Sequence, residues 1–117
     1  MIVTGKQTIG HGLGAKPEWI LFKARDYAGM DWYNTHVGLA NGVTTHVELN
    51  TNDTEHSDSD YMNSVEQTNT VFSLGYNFTT NKNGNNYVAY CFNSIEGYYL
   101  ILHQLNANFQ LQVILLK

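Results

Sequence analysis

Apolar and polar positions along this chain alternate in short runs, and almost nowhere recur at helical spacing. Trp19-Ile20-Leu21-Phe22-Lys23-Ala24 is rich in aromatic and β-branched residues, the composition of a strand. Ile2 to Ile9, Asp31 to His36, Thr70 to Gly75, Tyr87 to Ile95, Tyr98 to Leu102 and Phe109 to Leu116 read the same way. Val43 to Leu49 alternates most cleanly. Val43, Thr45, Val47 and Leu49 share one face; Thr44, His46 and Glu48 share the other. A period of two predicts the apolar set on a core and His46 and Glu48 in solvent.

The intervals between these runs carry turn chemistry. Gly10-His11-Gly12-Leu13-Gly14-Ala15-Lys16-Pro17 predicts a tight turn region with glycines at positive φ. Asn83-Gly84 predicts a hairpin turn feeding the Tyr87 strand. Asn50 to Asn69 is polar, and its Asn, Asp, Ser and Thr residues compete with helical hydrogen bonds, so a loop is expected there. Eight or nine short strands, regularly spaced, predict an all-β fold. The architecture expected is an antiparallel β-sandwich occupying 1–117 as a single module.

Composition narrows the function classes. Six Lys and Arg against ten Asp and Glu give a formal charge of -4, which argues against a surface that tracks nucleic-acid phosphates. The low charge is made up by 14 Asn and 11 Thr, which suits a β-rich extracellular or virion module. The first residues lack the basic start and apolar core of a secretory signal, so release by host lysis is the expected route. Gly97 to Leu116 is uncharged but holds His103, Gln104, Asn106, Asn108, Gln110 and Gln112, and no membrane insertion is expected. Cys91 is the only cysteine, which excludes an internal disulfide and a cysteine-built zinc site. Within an apolar run it is expected to be a buried thiol.

No pattern points to catalysis or to a cofactor. The Gly10 to Gly14 loop lacks the Lys-Ser/Thr of a phosphate loop, and no Gly-x-Ser-x-Gly elbow occurs. The five histidines are scattered, and His46 with Glu48 would need a third metal ligand from elsewhere. Asp53, Asp58 and Asp60, with Glu55, form an acidic loop without EF-hand spacing; solvation is the expected role and calcium the alternative. Trp19 and Trp32 stand inside strands and are assigned to packing. Tyr27, Tyr33, Tyr61 and Tyr76 lie near turns and are the candidates for exposed, ligand-binding rings.

Several segments together resemble a domain family of unknown function found in tailed-phage tail and tail-fibre proteins. Gln7 to Lys23 is similar to its opening, with Ile9, the His11-Gly12-Leu13-Gly14 core, Pro17, Ile20 and Lys23 in place. Trp32 to His36, Asn69 to Gly75, and Asn83 to Phe92 followed by Ile95-Glu96-Gly97-Tyr98 match its later segments in order. The resemblance covers about 7–98 and places Cys91 at the family's cysteine. It implies a concanavalin-like (jelly-roll) sandwich carried on virion proteins. Its implied role is structural, with host attachment through surface glycans by analogy of fold. The expected partners are other virion subunits, including further copies of the chain, and the expected place is the virion. Residues 99–117 depart from the family pattern, with only Val113 to Lys117 similar to its closing strand. Those last strands could instead be an assembly surface, as in a capsid decoration protein.

Overall fold

The structure, a computed structural model, describes residues 6–58 and 60–94, together with the backbone strand 109–116. The chain is an antiparallel β-sandwich. Its strands are β1 (Gln7–Gly10), β2 (Trp19–Ala24), β3 (Tyr33–His36), β4 (Thr45–Glu48), β5 (His56–Ser57), β6 (Val71–Leu74), β7 (Tyr87–Ser94) and β8 (Phe109–Leu116). A 3-10 turn at Gly42–Thr44 and the single helical turn α1 (Phe78–Asn81) complete it. Six strands form one sheet in the order β5-β4-β3-β2-β7-β8, and β1 pairs with β6 in a second, two-stranded sheet. The strand expected at Tyr98 to Leu102 lies outside the described residues.

The central pairing is β2 with β7, in register from Trp19 opposite Phe92 to Ala24 opposite Tyr87. Alternation then fixes the faces. Ile20, Phe22 and Ala24 point inward with Tyr87, Ala89 and Cys91, all buried. Across the core, Phe72 of β6 meets Phe22 edge to face with ring centroids 5.8 Å apart. Cys91 is fully buried, and burial pushes its thiol up to about 12, far from the thiolate that reactivity requires.

Two sequence expectations are corrected in the chain's middle. The polar stretch after Asn50 is not all surface, because Tyr61 and Met62 are 0% exposed and complete the core between the sheets. Their entry depends on Gly75, where a Cβ would sit 1.9 Å from the Asp60 carbonyl oxygen. Strand β4 buries a residue of each face, Thr45 of the one expected in the core and His46 of the one expected in solvent. His46 is 3% exposed and stacks on Tyr33 at 4.2 Å, with Tyr61 edge-on at 5.0 Å, while Leu49 is left open to solvent. The His46 and Tyr33 rings thus pack beside Tyr61.

Candidate functional site

Four segments converge beyond one end of β2 and build a trough. The first is the glycine-rich turn, with Gly12 and Gly14 at φ 72° and 74° as expected. It is tied down by His11, which is 1% exposed: its Nδ1 accepts from Leu13 N at 3.1 Å, and its Nε2 lies 2.9 Å from the Thr68 carbonyl oxygen. The second is the segment around Gln67, whose Nε2 donates to the Pro17 carbonyl at 2.7 Å; the neighbouring Glu66 pairs with Lys16. The third is the β3 end, where Val37 N donates to the Glu18 carbonyl at 2.9 Å. The fourth is the end of β7. There the Ser94 hydroxyl and backbone N–H both donate to Glu18 Oε2, which holds the Glu18 carboxyl below the usual range.

The trough has a deep part of about 330 Å³ next to Gln67 and a shallow part of about 710 Å³ next to Asn93, both counted with their open mouths. Lys16 and Val37 line both parts, which therefore lie side by side. Gln67 and Asn93 are 5% and 6% exposed, and the Oε1 of one and the Oδ1 of the other have no hydrogen-bond partner. Each such buried acceptor costs about 1–3 kcal/mol.

A second surface is the outer face of the six-stranded sheet. Alternation places Trp19, Leu21 and Lys23 there with Phe92, Tyr90 and Val88. Pairing with β8 sets Leu111, Val113 and Leu115 opposite Phe92, Tyr90 and Val88. Eight of these nine register positions are apolar. The exception, Lys23, directs its Nζ to the Met30 carbonyl at 2.7 Å. Trp19 stacks on Phe92 with centroids 4.6 Å apart and donates from Nε1 to Asn34 Oδ1 at 3.0 Å. Trp19, Leu21, Tyr90 and Phe92 are half-buried and keep part of their surface open.

The four tyrosines named from the sequence do not form one site. Tyr61 is core, its hydroxyl donating to the Thr45 carbonyl at 3.1 Å, and its expected exposure is corrected. Tyr33 is half-buried against His46. Tyr27 lies under Lys82, whose Nζ is 3.7 Å from the ring centroid. Tyr76, 52% exposed, is the only one of the four that stands open. In the acidic loop, Asp58 accepts from Asp60 N at Oδ1 and from Asn77 Nδ2 at Oδ2, both at 2.8 Å, and Asp53 lies 3.9 Å from His56 Nε2. Among the described residues no three His, Cys, Asp or Glu side chains are grouped to hold a metal. Gln67 and Asn93 carried no sequence signal. An amide in a polar loop and another at a strand end become notable only when both are found buried and half-satisfied.

No curated protein and no solved structure matches the chain significantly. A family model does, over residues 3–107. The chain therefore belongs to the family described as Domain of unknown function (DUF7483).

Proposed function

We propose that the chain is a structural module of a bacteriophage virion, in the tail or tail fibre, assembled with neighbouring subunits through its outer sheet face and offering a site to host-surface glycans. The observation that carries the assembly role is the run of apolar register positions across β2, β7 and β8. Contiguous apolar surface on a small domain marks an interaction site. The resemblance of residues 7–98 to tail-protein segments supports the virion setting, as does the low-charge sandwich rich in Asn and Thr.

The purified chain is expected to sediment as an oligomer at micromolar concentration. Tyr90→Glu and Leu21→Glu are expected to convert it to monomer with the β signature in circular dichroism retained. A wild-type monomer at every concentration removes the assembly role. A second reading, capsid decoration through the C-terminal strand, is favoured by the position of β8 at one end of the sheet. Antibody against the chain separates the two readings by labelling either the tail or the shell of the particle.

A further inference from the structure

The chain holds two Asn-Gly pairs, and the fold treats them differently. Asn41 and Gly42 open the 3-10 turn, where Gly42 N donates to the Leu39 carbonyl at 3.3 Å. Asn41 N donates to Thr45 Oγ1 at 3.2 Å, and the Asn41 carbonyl accepts from Thr44 N at 3.2 Å and from Thr44 Oγ1 at 3.0 Å. Turning the backbone between these two residues breaks that set. Asn83 and Gly84 are instead the central residues of a turn closed by one bond, Asn85 N to the Lys82 carbonyl at 3.3 Å. Only Gly84 of the two has positive φ, 85°, the type II pattern. Both are exposed, and among the described residues neither the Asn83 amide nor the Gly84 N–H has a hydrogen-bond partner. A Cβ at Gly84 would meet nothing within 4 Å, so the space around its nitrogen is open. The neighbouring anchors, Lys82 N to Tyr87 Oη at 2.9 Å and Asn86 N to Asp26 Oδ1 at 2.8 Å, hold the ends of the turn and leave its middle free to rotate.

We propose that Asn83 is a self-modification site, converted to aspartate and isoaspartate through a cyclic imide with Gly84, with water as the only co-reactant. Gly84 N gives its proton to solvent base and attacks Asn83 Cγ. The new C–N bond closes a five-membered imide while the Cγ–Nδ2 bond breaks, and Nδ2 leaves as ammonia. Water then opens one of the two imide C–N bonds. Opening at Cγ leaves aspartate; opening at the backbone carbonyl leaves isoaspartate, whose chain runs through Cβ and Cγ and is one carbon longer. One water enters, one ammonia departs, and nothing is oxidised. Either product takes the formal charge one unit below -4. Isoaspartate also lengthens the link between α1 and β7, and so loosens the Asp26–Asn86 anchor and the first β7 pairs, at Tyr87 and Val88. This chemistry goes beyond the proposed function and does not depend on it.

The test is peptide mapping by mass spectrometry of the whole folded chain, sampled during incubation in neutral buffer. The mass gain of amide-to-acid exchange is expected to accumulate at Asn83 at least tenfold faster than at Asn41, with isoaspartate the major product. In guanidinium chloride, where no fold protects either pair, the two rates are expected to differ less than threefold. Asn83→Gln alters an exposed side chain without partners, so the fold stays, as circular dichroism checks, and most of the acidic shift in isoelectric focusing is expected to disappear. Asn41→Gln is expected to leave that shift in place.

Equal rates at the two pairs in the folded chain, or no gain at Asn83, overturn the site. Aspartate without isoaspartate overturns the imide route. A tenfold ratio that persists in guanidinium chloride assigns the difference to flanking sequence and removes the structural argument.

Discussion

His11 anchors its loop from both ring nitrogens. Because Nδ1 accepts from Leu13 N, the proton resides on Nε2 and is directed at the Thr68 carbonyl. His11→Ala should lower unfolding free energy by about 2–4 kcal/mol, from two lost hydrogen bonds and a cavity; urea denaturation measures it. Gly75→Ala should cost about 3 kcal/mol, since the new methyl must displace the Asp60 backbone. His46 titrates instead. Burial first, and then the neighbouring His56, lower its pKa from the usual 6.5. The groups around it are Tyr33, Glu48, His56, Asp58 and Tyr61. A base with a depressed pKa binds its proton more readily when unfolded, so its contribution to stability is whole above about 6.5 and is lost as pH falls below it. Denaturation midpoints should therefore drop between pH 7.5 and pH 5, and drop less in His46→Phe. An equal drop in both would assign the acid sensitivity elsewhere.

Strands β2, β3 and β4 are held together by more than their ladders. Asn34, 4% exposed, accepts from Trp19 Nε1 and donates to the Val47 carbonyl at 2.7 Å. Asn34→Leu keeps the volume and strands the indole N–H, at a cost of about 2–3 kcal/mol. Hydrogen exchange should then quicken in β4 more than in β7. Element identity was largely legible in the sequence: β2, β6, β7 and β8 fall on their apolar runs, because β-branched and aromatic residues suit a pleated, half-buried surface. Element orientation was less so. In β4 the alternation is real, but Val47 faces outward beside Asn34 while His46 turns in, since pairing with β3 fixes the register. Tyr61 lay in the most polar stretch of the chain and nothing local marked it for the core. The trough was not legible at all, because its segments meet only in space: Glu18 and Ser94, bonded there, are 76 residues apart.

Contacts across the whole molecule are long in sequence. Trp19 pairs with Phe92, Gln7 with Leu74, and Gln7 Nε2 donates to Asn81 Oδ1 at 2.6 Å. Topologies of this kind fold on the order of milliseconds to seconds, and stopped-flow refolding by tryptophan fluorescence should find that regime; microsecond folding would contradict the topology. The β2–β7 pairing also governs how the chain is made. Phe22 leaves the ribosome long before Ala89, its partner in the sheet. At roughly 5–20 residues per second the interval lasts roughly 3–13 s. Throughout it, a strongly apolar nascent strand has no native neighbour on that side. Synthesis, more than the finished molecule, is therefore the stage at which this protein most needs shelter, and a slow-codon stretch or a chaperone footprint would be most consequential before Tyr87 is translated.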